Sequence, residues 1–299
     1  MLQMGVVFRE GGLALAIVVI VLMAAVSHWT MTLIARCLDR VAELVPEDQR
    51  NGEAVDWPLI GQVVAGRPGR LIVTIVFVVE LFVMATYLQV LGCSTMAVIF
   101  PAADKLALVG AGGGATLALL AVPDRFTSFV SSAGILAAAL FVVLLVASGA
   151  CLAGGGGTGT GPGPADLTLV DAGALPTVVS IVAIAMVAHA EVGQVYMRME
   201  HKEDFASASG GAFGTAAALY IAVGLVGYFC YGTSVKDNLL GNLGHDVDGE
   251  PLLGFVWLQK LAAAMFAAKL QAMQPLLLGP LGSTLESGAW ALAARAGPA

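Results

Sequence analysis

Charged residues are scarce in this sequence: they make up 12% of its 299 residues, whereas a soluble domain contains about 25%. Aromatic residues are also few, at 7%, while 58% of the residues are hydrophobic. The mean hydropathy is +0.88. So little charge could not cover the surface of a soluble domain. The chain is therefore predicted to lie in a lipid bilayer.

The sequence also lacks features that mark other classes of protein. Its 14 Lys and Arg form no basic patch and its net charge is -7, so no nucleic acid partner is predicted. No Ser-His-Asp set, HExxH motif or paired metal-ligand spacing occurs in its apolar segments, so neither an enzyme nor a metal site is predicted. The four cysteines are too scattered for a disulfide scaffold. A disulfide among Cys93, Cys151 and Cys230 stays open.

Long apolar runs dominate the rest of the sequence. About 20 apolar residues cross a bilayer as a helix, and seven segments reach or approach this length. The predicted spans are 12–35, 71–99, 106–122, 128–150, 175–195, 211–232 and 252–279. The sequence therefore predicts an all-α polytopic membrane protein with a single transmembrane domain over residues 1–299.

The positive charges are divided unequally between alternate loops. With seven spans, nine Lys and Arg fall on one side of the membrane and three on the other. Because cytoplasmic loops carry an excess of Lys and Arg, the loop 36–70 and the C-terminus are predicted to be cytoplasmic. Met1 and the acidic loop 237–250 are predicted on the opposite side.

Ionisable residues at or inside the apolar segments are the candidate functional residues, because charge in hydrocarbon is costly. His189 and Glu191 lie at the end of the span 175–195. His189 could relay a proton, or it could cap and pack a helix end. Glu191 is expected at the membrane interface, facing away from His189 on a regular helix.

Three polar residues of the second span are further candidates. Glu80 is expected to pair with Lys269 or Lys260, and the alternative is a coupling carboxylate. Tyr87 and Gln89 either line a substrate path or satisfy interhelical packing and hydrogen bonds.

Four segments carry a more specific pattern. They are WPLIGQVVAGRPGRLIVTIVFVVELFVMATYLQVLG at 57–92, VAHAEVGQVYMRMEHKEDF at 187–205, YIAVGLVGYFCYGTSVKDNLLGNL at 220–243 and KLQAMQPLLLGPLGSTLE at 269–286. In this order they resemble the helix two-to-three region, the sixth helix, the seventh helix and the eighth helix of the amino acid/auxin permeases. Within that family the vacuolar and vesicular amino acid transporters are the most similar. The opening MLQMGVVFREGG resembles the tail of the first helix, so the resemblance implies a chain shortened at both ends.

The resemblance implies a partial LeuT-like inverted-repeat fold, in which substrate binds at interrupted helices near the bilayer midplane. The segment MVAHAEVG at 186–193 could form such an interruption. The implied substrate-binding candidates are Ala188, His189, Ala190 and Tyr87, and the proton-coupling candidates are His189, Glu80 and Glu191.

The function implied by the resemblance is secondary active transport of amino acids by alternating access, without a cofactor. Protons are the expected coupling ion, with sodium as the alternative. The implied partners are an amino acid and the lipid bilayer, and a vacuolar or other endomembrane location is favoured over the plasma membrane. The alternative function is a shortened membrane protein that does not transport and acts as a binding partner or is the product of a decaying gene. The sequence leaves open the amino acid, the direction of transport and the oligomeric state.

Overall fold

The computed structural model describes residues 1–50, 54–121, 127–153, 167–245 and 256–296, and all regular secondary structure in these ranges is helical. The α-helices are, in chain order, α1 (Met4–Leu44), α2 (Trp57–Ile99), α3 (Lys105–Leu120), α4 (Thr127–Ala153), α5 (Leu175–Ala185), α6 (Val192–Met197), α7 (Phe205–Tyr231) and α8 (Val256–Ala296). Short 3-10 turns connect several of them. This all-helical architecture confirms the predicted fold class.

Five helical segments are long and apolar enough to cross a membrane, and two shorter apolar helices accompany them. The long segments are Met4–Leu44, Trp57–Ile99, Ala172–Met197, Lys202–Ser234 and Val256–Gly282, and the shorter ones are Lys105–Leu120 and Leu136–Gly149. Each of these seven segments overlaps one of the predicted spans, although their bounds differ and residues 122 and 252–255 of those spans lie outside the described residues.

Large apolar side chains cover the outside of these helices. On α2, Phe82 is 63% exposed and Ile72 is 62% exposed, and on α1 Trp29 is 61% exposed. Contiguous apolar surface of this kind is unstable in water but favourable in lipid. The chain is an integral membrane protein with several membrane-crossing segments.

Helix α1 is broken at Gly12, where φ is +77° and ψ is 173°, a backbone conformation open almost only to glycine. The break frees backbone groups on both sides, and a neighbouring segment satisfies them. Leu13 N–H donates to the Thr168 carbonyl at 3.1 Å and Ala14 N–H donates to the Leu169 carbonyl at 2.9 Å. Residues 4–11 are therefore a separate short helix that leads into the first long span.

The polar stretch 36–70 is more helical than its composition indicates. Helix α1 continues to Leu44, and α2 begins at Trp57 because the Asp56 carboxylate caps it, accepting from Leu59 N–H at 3.2 Å. A second glycine break follows at Gly66, with φ +65°. The residues of α2 before Gly66 therefore form a separate short helix, and the long span of α2 follows this break.

The helices pack in two groups. In one group α1 packs most extensively against α7 and also against α5, and in the other α2 packs against α8 and α3. Helix α4 lies between the groups and contacts both α7 and α8. Residues 189–191 contact α2 and α8, and α6 contacts α1, so the segment between α5 and α6 touches both groups.

The structure describes the thiols of two of the three cysteines considered for a disulfide. Cys93 and Cys230 both carry free thiols, so they do not pair with each other; the side chain of Cys151 lies outside the described part of the structure. In the glycine-rich part of α3, Gly112 allows close helix packing, since a Cβ there would lie 3.2 Å from the Gln271 amide nitrogen, whereas Gly113 and Gly114 face open space.

Candidate functional site

An interruption separates α5 from α6 at the predicted position. Helix α5 ends at Ala185, residues 186–188 are not helical, and a 3-10 turn at His189–Glu191 leads into α6. Ala188 has φ −154° and ψ 12°, which breaks the helical hydrogen-bond pattern. Carbonyl groups freed at such a break need other donors. The Tyr220 hydroxyl donates to the Ala185 carbonyl at 3.0 Å.

His189 is held by two neighbouring elements. Its Nε2 atom lies 2.7 Å from the Thr30 hydroxyl of α1, and its backbone carbonyl accepts a hydrogen bond from the Trp57 indole N–H of α2 at 3.3 Å. The ring and backbone of His189 therefore join the two groups of helices. Both the proton relay and the packing role remain compatible with this geometry.

Glu80 and Glu191 belong to the same neighbourhood. Glu80 lies close enough to His189 and to Glu191 for its charge to act on both side chains. Glu191 is half-buried and occupies a 3-10 turn, so the regular-helix geometry expected for it does not apply. Helix α2, which carries Glu80, contacts the turn at residues 189–191, and Glu80, His189 and Glu191 are together called the ionisable cluster below.

The expected ion pair of Glu80 with Lys269 or Lys260 is absent among the described residues. Lys269 instead packs along Gly134 of α4, whose added Cβ would lie 3.3 Å from Lys269 Cγ. The prediction was wrong because spacing along two helices does not determine which faces meet.

Tyr87 and Gln89 have different surroundings. Gln89 donates to the Val109 carbonyl at 3.3 Å and accepts from the Gln271 amide at 3.4 Å, which is the interhelical bonding that was one of its two predicted roles. Tyr87 is 38% exposed. It lies seven residues beyond Glu80, or about 10 Å along the same face of α2. The structure thus brings Glu80 to His189 but leaves Tyr87 two turns away.

Two cavities lie against the interrupted helix. One, of about 400 Å³, is bounded by α1, α7 and the break, and Ala188 lines it together with Met186. The other, of about 260 Å³, lies between α2, α6 and α8, and Ala190 lines it together with Trp57. The two alanine candidates therefore face different spaces, with His189 between them.

A second polar cluster was not predicted from the sequence. The Tyr196 hydroxyl of α6 donates to the Asp39 carboxylate of α1, and Lys202 Nζ lies 3.5 Å from the same carboxylate. The Lys202 ammonium also lies 5.0 Å from the centre of the Tyr196 ring. These residues join the end of α1 to α6 on the side predicted to be cytoplasmic. The signal available in the sequence was the Tyr at 196 followed by the charged run MEHKEDF, but nothing indicated Asp39 as their partner.

A matching contact lies at the opposite end of α1. Arg9 pairs with Asp237 at 3.3 Å and donates to the Val235 carbonyl. The Asn238 side chain caps the short turn that follows Asp237, since it accepts a hydrogen bond from Leu240 N–H at 3.0 Å. Both ends of α1 are therefore bonded to other elements, one at each side of the predicted membrane.

The described residues contain no group of three or more His, Cys, Asp or Glu that could hold a metal ion.

The whole site lies within the part of the chain that matches a known protein family. Residues 1–291 match the family described as transmembrane amino acid transporter protein. The chain belongs to this transporter family. This match confirms the relationship to amino acid transporters that the four sequence segments predicted.

Relatives within this transporter family are distant. Amino acid transporter AVT1I of Arabidopsis thaliana is 26% identical over 247 residues, which cover 79% of this chain and 56% of the relative. Amino acid transporter AVT1J of the same plant is 24% identical over 250 residues, covering 78% of this chain and 54% of the relative. The chain thus spans about half the length of the curated relatives it matches. No solved structure matches it.

Proposed function

We propose that this chain forms part of the substrate and proton site of a secondary active amino acid transporter that works by alternating access. The observation that carries the proposal is the helix interruption at residues 186–191, with the ionisable cluster beside it. Half-helix ends present free N–H and C=O groups with partial charge, and these can bind the carboxylate and ammonium of an amino acid. The groups around Ala188, His189 and Ala190 are the proposed ligands.

The ionisable cluster supplies the proposed proton site. Imidazole changes its charge between about pH 5 and pH 8, and helix α2, which carries Glu80, contacts the turn that contains His189. Proton binding at His189 then reduces the net negative charge of the cluster. Because uncompensated charge is costly in hydrocarbon, this reduction favours reorientation of the loaded protein, and proton release on the other side completes the step.

An acidic endomembrane compartment such as the vacuole is the proposed location. A lumen more acidic than the cytoplasm supplies a proton gradient in the range in which an imidazole titrates. The resemblance to vacuolar transporters supports this location, and sodium remains the alternative coupling ion. The substrate is proposed only as an amino acid.

The proposal is tested in liposomes that contain the protein expressed from its complete transcript. Uptake of each radiolabelled amino acid is measured with an inward proton gradient, with an inward sodium gradient and with neither. We expect accumulation of at least one amino acid under the proton gradient, abolished by a protonophore. Absence of uptake of every amino acid under all three conditions contradicts the proposal, and accumulation that follows only the sodium gradient contradicts proton coupling. The same assay on residues 1–299 determines whether this segment transports by itself.

A further inference from the structure

Lys269 is a cationic residue within an apolar membrane segment, and the ionisable cluster does not include it. It is the fourteenth of the 27 residues of the apolar segment Val256–Gly282, so it lies at the middle of that segment. Its side chain is half-buried. An ionisable residue at this depth is costly and calls for a function.

Among the described residues, no carboxylate forms an ion pair with Lys269. Helix α4, which packs against α8, has no Asp, Glu, Lys, Arg or His in its sequence Thr127–Ala153. Residues 256–285 of α8 contain only one other charged residue, Lys260. Of the other elements packed against α8, α3 carries Lys105 and the turn at residues 189–191 carries His189 and Glu191. In the described part of the structure, Glu80 of the neighbouring α2 makes no ion pair with Lys269.

The ammonium group nevertheless has both an aromatic contact and space beside it. Lys269 Nζ lies 6.0 Å from the centre of the Phe266 ring, at the outer limit of a cation–π contact. Lys269 also lines a cavity of about 420 Å³ between α4 and α8, whose other lining residues are Gly134, Leu136, Ala137, Leu140, Met265, Ala268 and Ala272. The cavity is large enough for water, and the Lys269 amine is the polar group of its lining that would bind it. In the described part of the structure, Lys269 makes no ion pair with a carboxylate.

We propose that Lys269 is a second proton-carrying residue of the transport cycle. Its ammonium releases a proton to water when the cavity between α4 and α8 is hydrated, and the neutral amine accepts a proton from water on the return step. The neutral form is compatible with the apolar walls, and the charged form requires the hydrated cavity. The inference rests on the proposed proton-coupled function and adds a group to it.

The test compares three variants of the protein expressed from its complete transcript, reconstituted in liposomes. Lys269→Met removes the titratable group, and Lys269→Arg keeps the positive charge but cannot release its proton. Lys260→Met is the matched control, since Lys260 lies on the same helix and is exposed. Two quantities are measured: accumulation driven by a proton gradient, and exchange of labelled for unlabelled amino acid without a gradient. Size-exclusion chromatography verifies that each variant is folded.

We expect both Lys269 variants to lose at least tenfold in gradient-driven accumulation and to keep exchange within about twofold of the wild type. Lys260→Met should keep both activities.

Accumulation at the wild-type level by Lys269→Arg overturns the inference, because it shows that only a fixed positive charge is needed. This result overturns the inference even if Lys269→Met does not fold. Loss of exchange together with accumulation in folded Lys269 variants also overturns it, since it indicates a binding or structural role. A wild type that accumulates no amino acid overturns the proposed function itself, which a failure of the Lys269 variants alone does not.

Discussion

At the scale of single residues, the bond between Thr30 and His189 is the contact that most directly prepares a proton site. The Thr30 hydroxyl holds Nε2 of the imidazole at 2.7 Å. A hydrogen bond contributes a net stabilisation of about 1 kcal/mol, and this contribution changes with the charge of the ring. The Thr30 hydroxyl is therefore in place to position the imidazole of His189 in the proposed proton site.

Replacing Thr30 by valine should shift the pH dependence of amino acid uptake. Loss of about 1 kcal/mol corresponds to roughly a fivefold change in the balance between imidazole and imidazolium. The measurement is the pH profile of uptake in liposomes. Thr30→Ser keeps the hydroxyl and should restore the wild-type profile. If Thr30→Val and Thr30→Ser give the same profile as the wild type, the hydroxyl does not position His189.

Replacing Tyr196 by phenylalanine should lower the thermal stability of the purified protein. The change removes the hydroxyl that donates to Asp39 and keeps the ring, which lies 4.9 Å from the Phe205 ring centre. We expect a loss of about 1 kcal/mol, seen as a lower unfolding temperature in detergent. Tyr87→Phe is the control and should leave the unfolding temperature unchanged, because Tyr87 is partly exposed and its hydroxyl makes no hydrogen bond in the described structure. Equal unfolding temperatures for Tyr196→Phe and wild type would show that the cluster at Asp39 adds no stability.

At the scale of helices, the breaks define the architecture as much as the spans do. The break at Gly12 separates the short helix 4–11 from the first long span, and the break at residues 186–188 separates α5 from α6. The two breaks differ in how they are made. The first depends on a glycine with positive φ and on pairing with residues 168–171, whereas the second contains no glycine and depends on its neighbours Tyr220 and Trp57.

Replacing Gly12 by alanine should destabilise the protein strongly. An alanine would take a backbone conformation that costs about 1–3 kcal/mol, and its Cβ would lie 2.7 Å from the Thr168 carbonyl oxygen. Gly214→Ala on α7 is the matched control: no atom lies within 4 Å of the added Cβ, so no loss is expected. Thermal unfolding of the two variants in detergent gives the comparison. Gly12→Ala with the stability of Gly214→Ala would mean that the break at Gly12 does not need glycine.

Much of the helical pattern could be predicted from the sequence, because membrane spans depend on length and hydropathy alone. The interruption at MVAHAEVG was also predictable, from its small residues and from the resemblance of its sequence to a known sixth helix. The partners of individual polar residues were not. Glu80 was expected to pair with Lys269 or Lys260 but forms no ion pair with either lysine among the described residues. The contact of Asp39 with Tyr196 joins residues 157 positions apart. Such pairings depend on the rotation of each helix in the bundle, which a uniformly apolar helix surface does not encode.

At the scale of the whole molecule, two sets of contacts lie at opposite ends of α1. Asp39 and Lys202 meet at one end, and Arg9 and Asp237 meet at the other. The loop charges predict that the first end is cytoplasmic. Alternating access requires that contacts at the two ends form and break in turn, so these ends are where the two conformations of the protein should differ.

The orientation is testable by chemical labelling. In a background with all four native cysteines replaced by serine, Lys202→Cys should react with a membrane-impermeant maleimide added from the cytoplasmic side. Asp237→Cys should react from the opposite side, since Asp237 is exposed there. Reaction of both cysteines from the same side would contradict the predicted topology and the assignment of the two ends.

The most direct test of the central claim is to measure proton movement caused by the amino acid itself. Liposomes containing the protein expressed from its complete transcript are loaded with a pH-sensitive dye, and the transported amino acid is added outside without any proton gradient. We predict that the lumen acidifies as the amino acid enters, and that His189→Gln lowers the ratio of protons to amino acids carried. Entry of the amino acid without acidification, or an unchanged ratio in folded His189→Gln protein, would contradict this account.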